Sequence, residues 1–478
     1  MKKFSKKYLI FMMSIFIIGC TTTKSLIPEP IIAKNSAEAL MRNNINDKEL
    51  LSYLERYDLN LPTKDEYWSS DLLIMVALFN NKKLEMMRAE HGLIASDVQV
   101  IKAGFKNKII SPTLEYHNKG KPFSIGLSIE LPINKISIKE TKLDLAKIKT
   151  LTKAVEIILP AWEIRTNVIK ATTEVLKYEE EYKQELIITN KMRENLIIMN
   201  GLYEQGIISS IIYNSKKKEI DERISNLKVI QSQIKAARIN LASILNLPIE
   251  LLLNLKISLD EEKYSSLEEL ESLLDHNLNI ALVSRGDVLT ALSKYAESEA
   301  ELRLIVAEEN KIIQTISPAI FWDQTDLIFN LSGSLLLKNE DIINAKINRA
   351  VKKRDVYKAN FEVTQNLVLK EVYTSYSKML IVNAEYYAAL SLLENAKLSL
   401  EIMLKRNING DVSKLEVLQS ELLVLTREKL LLDIKYNRLI SFLEFENSLG
   451  HSYYDKAYLP KDAYYPIDYF TNSYKGNY

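Results

Sequence analysis

The residues that most often do chemistry in proteins are few and widely separated in this sequence. Four histidines occur, and no pair of them has the spacing of metal ligands. They are His91, His117, His276 and His451. No glycine-rich phosphate loop, nucleophile elbow or other catalytic motif is present. The sequence therefore predicts neither an enzyme nor a protein that holds a metal or another cofactor.

The one cysteine, Cys20, lies at the end of a secretory signal. Lysines open the chain, and an apolar run over residues 8–18 follows that is too short to span a bilayer as a mature helix. Residues 16–19 resemble a bacterial lipobox, which implies cleavage before Cys20 and its acylation by fatty acids such as palmitate. The residue after Cys20 is Thr21 rather than aspartate, and in this the sequence resembles lipoproteins that are sorted to the outer membrane. An ordinary signal peptide with an incidental cysteine is the alternative.

Composition points away from nucleic acid and toward long helices. Lysine and arginine number 63 and aspartate and glutamate 62, so the net charge of +1 provides no basic face for nucleic acid. Glycine and proline number only 12 and 11, and long stretches contain neither. Because these stretches are rich in leucine, isoleucine, lysine and glutamate, they predict long helices.

The sequence repeats itself. Gly206 matches Gly410 and Ser209 matches Ser413, both at an offset of 204 residues. Each half has a helix, a Ser-Pro pair, two short alternating segments, a very long helix, a Gly-x-x-Ser turn and a return helix. The predicted helices are 68–108, 135–204 and 209–246 in the first half, and 277–314, 341–408 and 412–449 in the second. Each half is therefore expected to fold in the same way.

The repeat divides the chain into six predicted segments. They are a signal peptide (1–19), a lipidated linker (20–65), a first repeat (66–250), an equatorial connector (251–276), a second repeat (277–450) and a C-terminal tail (451–478). The repeats contain predicted β-hairpins at 112–132 and 318–337, and helical tips near 206 and 410.

The alternating segments predict strands that lie between lipid and water. Residues 123–131 and 327–337 place apolar side chains at odd positions and mostly small polar ones at even positions. Their length fits a tilted transmembrane strand. Two hairpins give four strands, which cannot close a barrel, and lipid tolerates no open sheet edge. The strands must therefore be shared between copies; an ordinary soluble sheet is the alternative.

The return helices have the heptad spacing of a coiled coil. Apolar residues recur at alternating steps of three and four along 220–245 and 415–443. Gln231, Arg238 and Lys429 interrupt these seams, and we interpret them as register or surface positions.

These features resemble the TolC-like outer-membrane efflux protein family over about residues 66–450. Residues 203–209 and 410–418 look like its hairpin-tip pattern, Gly-x-x-Ser followed by Leu-Asp/Glu-Val-Leu. Residues 126–133 look like its strand that ends in Leu-Pro, and residues 285–288 look like the Arg-Pro-Asp-Val that opens its second half.

The chain also departs from the family pattern. Gly286 replaces the usual proline, and Asn407 lies at the second tip where family members often have an aromatic residue. Pro160 lies early in the first long helix, where it should cause a kink or mark the true start.

The resemblance implies a mainly α-helical fold with transmembrane β-strands. Duplicated long-helix coiled-coil hairpins would form an α-barrel tunnel, and four strands per protomer would complete a 12-stranded trimeric β-barrel. The resemblance also implies a homotrimer in contact with outer-membrane lipid. Its tips would meet a periplasmic membrane-fusion adaptor, which would connect it to an inner-membrane pump or ABC exporter.

The same resemblance suggests functional residues at the tips. Gly206, Ser209, Gly410 and Ser413 would contact the adaptor, since glycine permits close approach and serine offers a capping hydroxyl. Turn chemistry without a partner is the alternative. Glu416 matches an acidic position at the inner end of the tunnel, where three copies would form a carboxylate ring that favours cations. A solvated helix-face glutamate is the alternative there.

The leading hypothesis is a lipid-anchored outer-membrane duct that projects into the periplasm and carries drugs or metals from an inner-membrane pump. The exit duct of a type I protein secretion system is an alternative that the sequence does not separate from it. A structural periplasmic coiled-coil lipoprotein is an alternative of another class. Such a protein would differ from a duct in lacking strands able to face lipid.

Overall fold

Long helices dominate the fold, as the scarcity of glycine and proline predicts. The computed structural model describes residues 30–41, 45, 48–62, 66–104, 109–116, 123–132, 136–260, 270–310, 313–323, 326–337 and 339–452. The predicted signal peptide, Cys20 and nearly all of the predicted C-terminal tail therefore lie outside the described residues. The chain divides into two units, and the first, Met1–Asn43, contributes helix α1 (Ala33–Met41). The other elements belong to the second unit.

The apolar core of the second unit forms around a short buried helix. Helix α3 (Ser70–Asn80) has the sequence SDLLIMVALFN, and nearly all of its side chains are buried. Helix α2 (Lys48–Glu55) packs beside it through Leu50 and Leu54, although the sequence predicts a linker there. The short strand β1 (Trp68–Ser69) precedes α3 and pairs in parallel with β4 (Ile257–Ser258). The packed unit therefore begins well before residue 66.

The first repeat continues with α4 (Lys82–Ala103), β2 (Ile109–Tyr116), β3 (Phe123–Pro132) and α5 (Ile136–Val155). The sequence predicts one helix over 68–108, whereas the chain breaks at Asn81. Asn81 has extended backbone angles, and its side chain accepts a hydrogen bond from the N–H of Leu84. A capping asparagine thus ends one helix and starts the next without a glycine or a proline.

The first helical hairpin consists of α6 (Ile158–Glu204) and α7 (Ser210–Leu245). The helical run is interrupted between Val155 and Ile158, close to the kink that Pro160 predicts. Proline has no N–H to donate to the preceding turn, and its ring clashes with the carbonyl four residues earlier. The predicted helix 135–204 is therefore two helices, α5 and α6.

The second repeat follows a short helix, α8 (Ile249–Leu252), and strand β4. It comprises α9 (Leu270–Ser284), α10 (Gly286–Glu309), β5 (Ile313–Asp323), β6 (Asp326–Leu335), α11 (Glu340–Ile408) and α12 (Lys414–Leu449). Helix α9 begins within the predicted connector. Helix α11 has no proline and continues unbroken for 69 residues, on the order of 100 Å.

The helices form two sets of neighbours on either side of the core. On the side of the strands the order is α4, α5, α10, α11, and on the side of the tips it is α7, α6, α12, α11. Among the described helices, none combines the length and apolar character needed to cross a membrane.

Gly286 allows a close approach between the two repeats. A Cβ atom at this position would lie 2.8 Å from the backbone nitrogen of Leu159 and 2.9 Å from Cγ2 of Ile158. The start of α10 therefore packs directly against the start of α6. Arg285 beside it is buried, and its guanidinium donates to the carbonyl of Ser448 at the end of α12.

Candidate functional site

The four long strands form one antiparallel sheet in the order β2-β3-β5-β6. Its register places the apolar positions of all four strands opposite one another. Leu114 pairs with Ile125, Ile125 with Trp322, and Trp322 with Leu327. Because side chains of directly paired residues share a face, one face of the sheet is apolar across its whole width.

This apolar face is exposed in the single chain. Its side chains include Leu114, Tyr116, Trp322, Phe329 and Leu331, and each is more than 60% exposed. Globular proteins rarely leave a continuous apolar surface of this kind in water. The face therefore requires a covering that the described residues do not supply.

The opposite face of the sheet is mostly polar, although Phe321 and Ile328 also lie on it as a directly opposed pair. Ser111 pairs with Ser128, Thr315 with Ser334 and Ser317 with Ser332. Glu115, Glu130 and Asn330 lie on the same face by alternation along their strands. The sheet thus separates an apolar surface from a hydroxyl-rich one, as the alternating sequence predicts.

The strands are longer than the sequence predicts at their starts. Ser111-Pro112 and Ser317-Pro318 lie inside β2 and β5 rather than before them. The pairing of β3 with β5 lapses opposite Ser317 and Pro318 and resumes at Ile316. Proline has no N–H for the ladder, which accounts for a lapse of pairing beside Pro318.

The sheet has two free edges. In the described part of the chain, β2 pairs only with β3 and β6 only with β5. The helices next to these edges also expose apolar stripes. Helix α4 leads into β2 and exposes Met86, Leu93 and Val100 at intervals of seven, while α11 leaves β6 and exposes Val356 and Val363 at the same interval. Strand edges and heptad stripes of this kind are suited to pairing with another copy.

The two helical tips have the same backbone geometry. Gly206 and Gly410 follow their helices with φ angles of +74° and +82°. Each donates its N–H to the carbonyl three residues earlier, Tyr203 or Asn407, and the next residue donates to the carbonyl five residues earlier. This is the Schellman ending, which requires the left-handed conformation that glycine adopts without strain.

Serine begins the return helix at both tips. The hydroxyl of Ser209 accepts from the N–H of Ile212, and that of Ser413 accepts from the N–H of Glu416. All four predicted tip residues are therefore brought together in pairs, one pair at each turn. Their turn chemistry accounts for these residue types, and an adaptor contact stays a prediction.

The two tips differ in their side chains. At the first tip, the rings of Tyr203 and Tyr213 stack with their centroids 5.1 Å apart. At the second, Nδ2 of Asn407 donates to the carbonyl of Val412 at 2.8 Å. Asn407 thus closes the turn at the position where the resemblance leads us to expect an aromatic residue.

Glu416 is exposed and takes part in a capping box. One of its carboxylate oxygens accepts from the backbone N–H of Ser413 at 2.7 Å and from its hydroxyl at 2.8 Å. These two hydrogen bonds hold the pKa of Glu416 below its ordinary value, and the bond from the backbone N–H has the larger effect. The carboxylate is therefore ionised and has a local structural role. Its place in a tunnel constriction stays a prediction.

A ladder of ion pairs joins the first helical hairpin to the second. The pairs are Arg165–Glu446, Lys170–Glu444, Lys177–Asp433, Lys429–Glu185 and Lys191–Glu421. Helix α6 supplies the cation in every one of these pairs except Lys429–Glu185, where the polarity is reversed. A shift in register would place like charges opposite one another at that rung, so the ladder fixes how α6 and α12 are aligned.

Glu185 is a buried carboxylate at the fourth of the five pairs in this ladder, and the sequence alone did not single it out. Its carboxylate is 1% exposed and accepts from Arg223 of α7 and Lys429 of α12, both at 2.8 Å. Burial raises the pKa of Glu185, but the hydrogen bonds from Lys429 and Arg223 outweigh it and lower the pKa overall. Lys429 was visible in the sequence as a polar interruption of a heptad seam, which was the available signal.

The histidines do not form a site in the described residues. His91 is buried in α4, and burial lowers its pKa to about 4. Within the described ranges, no group of three or more histidine, cysteine, aspartate or glutamate side chains could hold a metal ion.

Comparison by sequence does not identify a family for this chain. No protein-family model matches the chain. Two curated relatives, both described as protein-arginine kinase and both from strains of Clostridium perfringens, are 31% identical over 157 residues. The match covers 32% of this chain and only 44% of the length of the kinases.

Comparisons by structure are extensive. The outer membrane protein VceC of Vibrio cholerae has a TM-score of 0.61 at 15% identity, over 80% of this chain and 97% of that one. The Campylobacter jejuni CmeC outer membrane channel has a TM-score of 0.54 at 14% identity, over 95% and 98%. The open state of the Neisseria gonorrhoeae MtrE outer membrane channel has a TM-score of 0.59 at 13% identity, over 82% and 91%. The chain has the fold of TolC-like outer-membrane channels.

Proposed function

We propose that this chain is one protomer of a trimeric, lipid-anchored outer-membrane duct that carries small molecules out of the cell. The observation that carries the proposal is the two-faced sheet. Its exposed apolar face suits the lipid of a bilayer, and its polar face suits a water-filled lumen. The fold shared with outer-membrane channels supports the same reading.

The open edges support an assembly of several copies. An unpaired strand edge inside lipid leaves backbone groups without hydrogen bonds, which costs several kcal/mol for each group. Pairing β2 of one copy with β6 of the next removes both edges and also brings the stripes on α4 and α11 together. Three copies would supply twelve strands, within the range of known outer-membrane barrels.

The helical tips are the proposed contacts for a periplasmic adaptor. Exposed apolar side chains cluster at the first tip, where Ile207, Ile211 and Ile212 are each at least half exposed, and Ile408 is exposed at the second. These lie beside Gly206, Ser209, Gly410 and Ser413. An inner-membrane pump behind the adaptor would provide the energy, so the duct itself is passive and needs no catalytic residue.

Two neighbouring residues of β6 provide a direct test. Leu331 lies on the apolar face and Ser332 on the polar face, and both are exposed. Lysine on a lipid-facing strand costs about 2–4 kcal/mol at the bilayer midplane, whereas lumen positions tolerate charge. We expect Leu331→Lys to abolish outer-membrane trimers and Ser332→Lys to retain them. The measurements are heat-modifiable trimers in membrane fractions and dye accumulation in a deletion strain that expresses each variant.

The matched pair also separates the alternatives. If the protein were a periplasmic coiled-coil lipoprotein, both variants would behave alike, and the proposal would be wrong. If Leu331→Lys stopped the export of a protein and left dye accumulation unchanged, the cargo would be protein rather than small molecules.

A second test concerns the tips. Gly206→Val and Gly410→Val place a β-branched side chain at a positive φ, which strains the turn although no atom lies within 4 Å of the added Cβ. We expect export to fall at least about tenfold, the effect of about 1.4 kcal/mol, with trimers retained. Gly201→Val is the matched control, because Gly201 has helical angles and equally open space. Equal export by all three variants would show that the geometry of the tips is not needed for export.

A further inference from the structure

Two helix surfaces lack a neighbour within the part of the chain that the structure describes. On the side of the tips the helices follow the order α7, α6, α12, α11, so α7 and α11 lie at opposite ends of the set. Each exposes an apolar side chain midway along its hairpin, since Val229 of α7 is 54% exposed and Ile381 of α11 is 59% exposed. Single exposed apolar residues are common in proteins, and the repeat supplies the reason to connect these two.

The repeat relates α7 and α11 to a contact that is present within the chain. At the offset of 204 residues, α7 corresponds to α12, and α6 corresponds to the half of α11 that leads to the second tip. The correspondence extends to the ends of the return helices, because Asn246 caps α7 with a φ of +50° and its equivalent Gly450 caps α12 with a φ of +72°. Since α6 packs on α12, the equivalent contact is α11 on α7. One chain holds these two helices apart, so this contact requires a second copy.

The equivalent contact is uncharged where the contact within the chain is charged. Five ion pairs form the ladder between α6 and α12. Lys177 and Asp433 form one of these pairs, and their equivalents are Ile381 and Val229. Lys217 is the only charged residue among the equivalents of the ladder. These equivalents are Leu369, Thr374, Ile381, Ala389 and Asn395 of α11 and Ala242, Asn240, Val229, Ser225 and Lys217 of α7.

The exposed face of α7 has room for a facing helix. Ser225, Val229, Ser232 and Ala236 recur at steps of four and three, so they share one face, and all four are exposed. Small side chains along such a face leave holes that larger apolar side chains of a second helix can fill. Helix α11 supplies a side chain of that kind in Ile381.

A second copy of the chain is the occupant that the rest of the fold favours. In the proposed duct, Val356 and Val363 of α11 already face the next copy. Helix α11 is unbroken, so the copy beside its first half also reaches the half that leads to the tip. Helices α4 and α7 both lie at the ends of their sets opposite α11, which places them on the same side of that next copy.

We propose that α11 of one copy packs on α7 of the next, through an uncharged seam that replaces the ion-pair ladder within each chain. The inference rests on the proposed assembly of several copies and adds the surface that joins them on the side of the tips. The two surfaces differ, so the contact is heterologous and repeats around a ring. Ion pairs thus align the two hairpins of one chain, whereas apolar burial joins the copies.

Cross-linking between copies tests the seam. Val229→Cys combined with Ile381→Cys should give a covalent trimer with a short bismaleimide in outer membranes. Each variant alone should give none, which controls for Cys20, the one natural cysteine. Lys177→Cys combined with Asp433→Cys is the matched control, because these equivalent residues belong to one chain and should be joined within it. Trimers that contain no cross-link between Val229→Cys and Ile381→Cys would overturn the proposal.

An exchange of charge tests the facing residues. Val229 is exposed in the single chain, so Val229→Asp leaves folding intact and places a carboxylate without a partner in the seam. We expect the dissociation constant of the trimers to rise at least about tenfold. Adding Ile381→Lys recreates the pair of Lys177 and Asp433, and it should restore the trimers at low salt but not at about 1 M salt.

Leu380→Lys is the matched control for this exchange, because Leu380 is exposed on α11 but is not the equivalent of Lys177. It should not restore the trimers of Val229→Asp. Restoration by both lysines, or by neither, would contradict the assigned contact.

The outcomes for the seam and for the duct are distinct. A product that joins Ile381→Cys to a different protein would show that a partner covers α11, and the proposal would be wrong. Trimers that conduct but do not depend on Val229 would remove the seam and leave the duct intact. Cross-linked copies that never enter the outer membrane would support the seam and contradict the duct.

Discussion

Glu185 is buried in α6 because two cations on other helices reach its carboxylate. Placing a lone carboxylate in an apolar interior costs several kcal/mol, and Lys429 and Arg223 offset that cost through charge-assisted hydrogen bonds. A partner removed from such a group leaves a buried charge uncompensated. The carboxylate thus ties α12 to α6 and α7 at the fourth of the five pairs of the ladder.

Lys429→Ala should therefore destabilise the helical hairpins. We expect the free energy of unfolding to fall by about 1–3 kcal/mol. This is less than the full cost of breaking a buried ion pair, because Lys429 is partly exposed and Arg223 still contacts Glu185. Lys397→Ala is the matched control, since Lys397 is mostly exposed and lies 3.7 Å from Glu428, and it should cost at most about 0.5 kcal/mol. Denaturant unfolding followed by helical circular dichroism measures both. Equal losses would mean that Glu185 does not depend on Lys429.

The same carboxylate predicts a pH dependence with a defined sign. Its folded pKa is lowered, so the stabilisation is fully present above the ordinary pKa of glutamate, about 4.3. It is lost as the pH falls below that value through the folded pKa. The stability difference between the unaltered chain and Lys429→Ala should therefore shrink on acidification below about pH 4.

At the scale of elements, one glycine allows two helix starts to pack closely. Gly286 at the start of α10 lies against the start of α6, just after the break between α5 and α6. The sequence predicts a kink from Pro160, and the structure adds that Gly286 packs against the first residues after the break. The resemblance leads us to expect a proline at position 286. A side chain there would meet the backbone of Leu159, so glycine suits this chain.

Gly286→Ala should accordingly destabilise the fold by about 1–3 kcal/mol, the usual cost of overpacking. Gly92→Ala is the matched control, because nothing lies within 4 Å of its Cβ position in α4. Alanine favours a helix interior over glycine, so this control should stabilise by about 0.5–1 kcal/mol. Thermal unfolding of the two variants decides the point. A neutral effect of Gly286→Ala would show that α6 can move aside.

The elements that the sequence predicts well are those whose signals are local. Alternation predicts the two faces of the sheet, and the repeat predicts the turns at Gly206 and Gly410. The break at Asn81 is missed because asparagine occurs within helices as well as at their caps, so its presence alone does not mark a helix end. The role of Glu185 is missed because its partners lie 38 and 244 residues away in the chain. Long-range pairing of this kind has no signature in a single sequence.

The whole molecule is defined by what one chain leaves unpartnered. Among the described residues, no strand pairs with the outer edges of β2 and β6, and α4 and α11 have exposed apolar stripes on the same two sides. The two sides differ from each other, so pairing one with the other generates a ring rather than a symmetric dimer. A ring of three copies would close the sheet and satisfy both edges.

The most direct test of the account is the number of chains in the complex extracted from outer membranes, measured by native mass spectrometry. We expect three copies, and Leu331→Lys should prevent their formation. A single copy that remains folded and inserted in the membrane would contradict it, because the free edges of its sheet would then need no partner.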